Sequence, residues 1–304
     1  MKKHILLLPA ILLIFQLVKA QKPDATIAIV RYTFSHIRDT TDKAKVYTEN
    51  MELLLGKNAS VYRSADQRLH DEKMKKLIAE RAKTGTTSMV NFSGVGGPRG
   101  SATKFYQFQA EKKIIRQEKI INIYLMDETL PAMNWTILTD TISFGTLHCQ
   151  KAKTTFKGRN YEAWFCPTLP FRSGPWKLNG LPGLIVEAND TKKEVVWKFA
   201  GLEDVSKIAE NSVSVAEADN SSERKSMTIF VRESYSFKII ELPKDGLKTT
   251  EKEFARLDKA VHENPTGFIN AAYAAAGSSA KVYSTSPVPA RKPINNPIEL
   301  SDKP

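Results

Sequence analysis

Two cysteines, Cys149 and Cys166, are the residues whose type and spacing most directly suggest chemistry. Between them, Phe156-Lys157-Gly158-Arg159 reads as a tight hairpin turn, with Gly158 supplying the positive φ that such a turn needs. If Lys157-Gly158 is the central pair, Cys149 faces Cys166 just as Phe156 faces Arg159. The expected chemistry is oxidation to one cross-strand disulfide, which needs a Cα separation of roughly 4.4–6.8 Å. A turn centred one residue later moves the pair to a diagonal and strains the bond.

Other reactive constellations are missing from the sequence. His36, His70, His148 and His262 are scattered, with no His-Glu-x-x-His helix motif, so no metal site and no cofactor is expected. His148 adjoins Cys149, but neighbours on a strand point to opposite faces, and a Cys–His dyad fails on geometry. No Gly-x-Ser-x-Gly string marks a nucleophile elbow. Gly94-Val95-Gly96-Gly97-Pro98-Arg99-Gly100-Ser101 lacks the lysine that a phosphate loop places before its Ser/Thr, and reads as a flexible loop. Asp and Glu are abundant and folding can pair distant ones; Glu187 with Asp190 is one candidate pair, and nothing marks it above a strand end and a turn acid. No catalytic residue is assigned, and the reading favours binding over catalysis.

The densest stretch runs from Ser173 to Glu187, Ser-Gly-Pro-Trp-Lys-Leu-Asn-Gly-Leu-Pro-Gly-Leu-Ile-Val-Glu. Its glycines and prolines fix a compact loop, and its leucines supply apolar anchors. One reading makes Gly180, Leu181, Pro182 and Gly183 a rigid corner feeding a core strand. The other makes them a binding loop, with Arg159, Trp176 and Lys177 as an aromatic-cationic patch beside it. Trp135, Trp164, Trp176 and Trp197 all fall in the central third. Exposed, they would stack on sugar rings; packing in the core is the commoner fate of strand tryptophans.

This stretch resembles the GLPGLI family of exported Bacteroidetes proteins, whose name is the string Gly180 to Ile185. The resemblance extends to the Gly158-Arg159 turn, Tyr161, Ala163-Trp164-Phe165 and Gly174-Pro175-Trp176-Lys177. It includes Glu128, Pro131 and Trp135 upstream, Leu53-Leu55-Gly56 with Ser60-Val61-Tyr62, and the ending Asn296-Pro297-Ile298-Glu299-Leu300. Cys166 departs from it, standing where Thr is commoner, so a disulfide would be particular to this chain. The resemblance implies export and an envelope role, and carries no activity with it.

The elements that must position these residues are mostly strands. Runs rich in β-branched and aromatic residues cover Ala25–Phe34, Met51–Leu55, Ala59–Arg63, Lys104–Gln109, Ile114–Leu125, Thr136–Leu138 and Ile142–Thr155. Tyr161–Cys166, Leu184–Glu187, Val195–Ala200 and Met227–Val231 continue them. Turns at short intervals favour an antiparallel sheet over βαβ units. Helical spacing is expected from Asp66, with Leu69, Met74, Leu77, Ile78 and Ala82 on one face and Gly85 as cap, and over Glu251–Val261. The first of these would cover the sheet with its apolar face. Ala209–Ser226 reads as a loop. The expected fold is mainly β (α+β), one domain over 21–277, with one or two covering helices and a polar C-terminal tail over 278–304. That the sheet curves into a bowl or open half-barrel is what the resemblance implies.

The N-terminus combines basic Lys2-Lys3, an apolar run from Ile5 to Val18 and a small-residue exit at Ala20, the pattern of a secretory signal peptide cleaved near Ala20. The run is short for a membrane span, and no cysteine stands at the exit for lipid attachment. The expected location is therefore periplasmic or extracellular, the chain not being an integral membrane protein. A hydrophobic content of 41% suffices for a core, and the formal net charge of +12 suits acidic surfaces such as anionic lipid, glycan or an outer-membrane protein. No nucleic-acid recognition motif accompanies it.

Overall fold

A computed structural model describes residues 23–84, 99–206, 239–275 and 294–300. The expected signal peptide, the Gly85 cap, most of the glycine-rich loop, the Ala209–Ser226 loop and the Met227–Val231 strand lie outside them.

Strand β1 (Asp24–Ala25) is followed by β2 (Ala28–His36), β3 (Tyr47–Leu55) and β4 (Ala59–Ser64). Helix α1 (Ala65–Thr84) comes next, then β5 (Lys104–Phe108), β6 (Lys113–Lys119), β7 (Ile123–Thr129), β8 (Thr136–Phe144), β9 (Leu147–Phe156) and β10 (Arg159–Cys166). The order closes with β11 (Leu184–Asp190), β12 (Val195–Asp204), β13 (Ile239–Ile240), β14 (Leu247–Thr249), α2 (Glu251–Glu263) and α3 (Pro265–Ala275). The run Ile114–Leu125 is two strands, β6 and β7. Ile120-Ile121-Asn122 turn the chain between them, and the isoleucines hide that turn from the sequence pattern.

Among the described residues, twelve strands form one sheet in the order β14-β7-β6-β5-β4-β3-β2-β12-β11-β10-β9-β8, with β14 and β8 at its edges. Neighbours are antiparallel except β14, which lies parallel to β7. The sheet curls strongly. Six strand spacings separate β5 from β10, about 29 Å on a flat sheet at roughly 4.8 Å each. Yet Trp176 accepts a hydrogen bond from Gln107 of β5 at its carbonyl (2.9 Å) and packs its ring on Tyr161 of β10 (6.3 Å).

Alternation along the strands builds a core on each face. Val30, Tyr32 and Phe34 of β2 with Leu53 and Leu55 of β3 belong to the larger, concave core. Ile29, Leu54, Val61, Tyr106 and Ile115 face the other way and meet Val205 and Ile240. Helix α1 stands on β3 by its first turns, where buried Glu52 binds Arg63 (2.6 Å) and Arg68 (2.9 Å). Beyond His70 its apolar residues Leu77 and Ile78 are exposed, so the expected cover over the sheet extends only that far. Helix α2 starts at a Thr250–Glu253 capping box and rests Phe254 on Tyr124 of β7 (5.7 Å). No helix of the described residues is long and apolar enough to cross a membrane.

Candidate functional site

The Lys157-Gly158 turn has φ of 49° and 69°, the primed geometry expected of it, and pairs Phe156 with Arg159. Pairing continues to Phe165 opposite Gln150, so the next step along the ladder sets Cys166 against Cys149. Both thiols are free and buried. Burial first, and Cys166 beside it next, push the Cys149 thiol up to about 12. Oxidation of purified protein with a mild disulfide oxidant is expected to lower the intact mass by about 2 Da and to raise stability by up to about 3 kcal/mol, the scale for a loop of this size. Unchanged mass after oxidation of the denatured and refolded chain would reject the pairing.

The signature loop does not lie on the surface. Residues 173–183 fold inward and fill the concavity of the sheet. Trp176, Leu178, Leu181 and Gly183 are buried, Gly180 is partly so, and Pro182 alone of the predicted loop residues is exposed. Tyr32 donates to Ile185 O (2.7 Å), Trp135 Nε1 donates to Asn179 O (2.7 Å), and Trp176 stacks on Trp197 (5.9 Å, 12° between planes). Trp197 Nε1 in turn donates to the Tyr62 hydroxyl (2.8 Å). Trp176 takes a φ of 55°, a left-handed conformation that costs a bulky residue of order 1 kcal/mol or more and persists because its surroundings fix it. The sugar-stacking alternative therefore gives way to core packing for Trp176 and Trp197.

The aromatic-cationic patch is likewise corrected: Arg159, Trp176 and Lys177 are buried, because each cation has internal carboxylates to neutralise it. The Arg159 side chain, 2% exposed, binds Asp190 (2.8 Å) and Glu194 (3.4 Å). Lys177 binds Glu128 and Glu299 (2.7 Å). Asp190 is thus engaged by Arg159, while Glu187 accepts from Phe199 N (3.2 Å), and the two carboxylates do not act as a pair.

Lys177 forms the floor of a cleft of about 760 Å³ between the β5–β7 end of the sheet, β14 and the chain's last described residues. Phe105, Leu125 and Met126 give it an apolar strip. Arg116, Glu118, Asp127, Glu128, Lys157, Lys248, Glu251 and Glu299 give it charge of both signs. Arg116 pairs with Glu118 (3.3 Å), Glu128 (3.2 Å) and Glu251. Burial pushes Glu299 up, but the hydrogen bonds and charge of Lys177 and the nearby Lys157 outweigh it, and its carboxyl is held below the usual range. Arg116 escaped the sequence reading, and Lys157 was read only as a turn residue; the charged residues Arg116 and Glu118 either side of Gln117 on β6 were the available signal.

Near the glycine-rich loop, Ser101 N donates to Glu49 (2.5 Å), so a carboxylate occupies what a phosphate loop would offer to an anion. Among the described residues no group of His, Cys, Asp and Glu could hold a metal ion.

Residues 102–187 match the model of a family described as a protein of unknown function (Porph_ging). The matched stretch contains the Lys157-Gly158 turn, the inward loop and Glu128. No curated protein matches the chain. Solved structures to which it is similar include two titled "Structure of PNGF-II". That in the C2 space group has 11% identity and a TM-score of 0.47, covering 76% of this chain and 32% of the other. That in the P21 space group has 10% identity and a TM-score of 0.46, covering 76% and 33%. The chain spans about a third of the length of these solved chains.

Proposed function

We propose that this is an exported, non-enzymatic binding or accessory protein of the GLPGLI type, whose charged cleft takes a polar partner carrying groups of both signs. The observation that carries this reading is the placement of the signature loop. The bowl is filled by residues 173–183, and the Lys177-floored cleft is a ligand space that this filling leaves open. Its rim charges are partly exposed and paired with one another, a state in which ligand groups can replace internal partners at small cost. Phe105, Leu125 and Met126 offer an apolar part of such a partner a strip to lie on. Export rests on the leader, Met1 to Ala20, and on the family resemblance.

A hydrolase using the cleft carboxylates is less well supported. Glu128 and Glu299 meet at Lys177 Nζ, but a general acid needs a raised pKa, and Glu299 is shifted the other way. An accessory subunit docking on an outer-membrane transporter draws instead on β8. This edge strand is exposed along most of its length, including Ile137 and Ile142, and among the described residues no strand pairs with its outer side.

Native mass spectrometry of the mature chain, purified at low salt from the envelope fraction, tests the cleft. A non-covalent adduct of a charged polar molecule is expected in the wild type and is lost in Lys248→Glu, an exposed change that leaves the fold intact. An adduct equally abundant in both, or absent from both, rejects the reading.

A further inference from the structure

Residues 294–300 lie in a seat built by other elements. At its base is Arg159, fixed by Asp190 and Glu194. Arg159 Nη2 donates to Asn296 Oδ1 (2.6 Å) and Pro297 O (2.7 Å), and its Nε donates to Ile298 O (2.9 Å). His36 Nε2 donates to Asn296 O (2.7 Å). Burial pushes His36 down to about 4, so it is neutral at pH 7 and keeps the one ring proton this bond requires.

The segment answers in kind. The Asn296 amide donates to Ile37 O (2.7 Å) and Glu194 (3.2 Å), its backbone N to Arg38 O (3.2 Å), and Leu300 N to Lys157 O (3.1 Å). Asn296 is the only residue of the segment that is buried, at 4% exposure. Three successive carbonyls are read by two side chains, one Asn fills a pocket, and Glu299 meets Lys177. That is the grammar of extended-peptide recognition: the backbone gives affinity, and a pocket gives specificity. The occupant also completes the guanidinium, giving Arg159 three bonds beyond those to Asp190 and Glu194.

We propose that this seat is a peptide-binding site for an extended Asn-Pro-Ile-Glu segment, with the chain's own residues 294–300 as its resident and exchangeable ligand. Residues 276–293 connect the segment to α3. Joined covalently to the body, the segment binds as an intramolecular partner, which raises its effective concentration at the seat above that of a free peptide. This inference shares Lys157, Lys177 and Glu299 with the cleft, but the contacts of residues 296–298 that define the seat come from His36, Ile37, Arg38, Arg159 and Glu194.

The test uses the full-length chain. Asn296→Ala weakens the resident segment and leaves the seat untouched. A fluorescein-labelled peptide of residues 292–304 is expected to bind this variant at least tenfold more tightly than wild type, where the resident competes. Adding Arg159→Lys is expected to reduce that binding at least tenfold. A folded Asn296→Ala chain, verified by circular dichroism, that binds no peptide overturns the proposal. Should the variant not fold, wild type carrying a protease site within residues 281–290 decides the matter. After cleavage the C-terminal fragment is expected to co-elute with the body and to be displaced by excess labelled peptide. A fragment that cannot be displaced, or that leaves and does not rebind, overturns it.

Discussion

Replacing Gly183 with Ala is expected to cost about 3 kcal/mol or more, which for a chain of this size lowers Tm by roughly 6–9 °C. Gly183 has a φ of 156°, and a methyl group there would fall on the Cys166 carbonyl, within 2.7 Å of its carbon and 2.9 Å of Pro167 Cα. These are backbone atoms and cannot swing aside. Cys166 ends β10 and pairs with Leu184, so moving it disturbs the β10–β11 register and the loop packed into the bowl. Gly145 is the control. Its φ is 61°, but nothing lies within 4 Å of an added Cβ, so its replacement by Ala is expected to cost only about 1 kcal/mol. Thermal melts of the two variants check this; equal shifts would mean that Gly183 is not a close-packed corner.

Arg159→Ala is expected to cost about 3–5 kcal/mol, the scale for breaking a buried pair and leaving its partner charged. Asp190 keeps hydrogen bonds from Glu194 N (2.7 Å) and Val195 N (2.9 Å), which limits the loss on that side. The C-terminal segment loses three bonds at once and keeps those of Asn296 with His36, Ile37 and Arg38. Arg159→Lys restores charge but not the planar fork that reaches Asp190 and the segment together, so only part of the stability should return. Denaturant titration gives the cost, and limited proteolysis reads the segment, which should become cleavable within residues 294–300 in the Ala variant. Wild-type resistance at that segment in Arg159→Ala would show that Arg159 does not hold it.

The sequence made the local geometry legible and the non-local geometry much less so. The Lys157-Gly158 turn set the β9–β10 register because Gly tolerates the φ that the turn imposes, and nothing distant competes with it. Strand alternation located β2 to β5 for the same reason. Helix α3 was missed although Pro265 at its first position was a start signal, and β14 is too short to show a pattern. The inward course of residues 173–183 was obscured by Gly and Pro, which commonly mark surface loops. The better signal was the density of Trp176, Leu178, Leu181, Leu184 and Ile185, too much apolar area for an exposed loop. Arg159, at a turn, suggested a solvent-facing cation. Its burial is decided by Asp190, Glu194 and Asn296, the last lying 137 positions away in the chain.

The loop gripped by β5, β10 and β12 also orders events in time. Hairpins such as β9–β10 can zip from neighbouring residues alone. The plug gains its contacts only after strands from both halves of the chain have curled to meet it, a late step with a large loop-closure cost. Until Trp197 is in place, Trp176 has no ring to stack on, and its left-handed backbone has nothing to hold it. A chain interrupted short of β12 would therefore keep its bowl open and its most apolar stretch exposed to aggregation, with the signature residues acting as the final fastening of the fold.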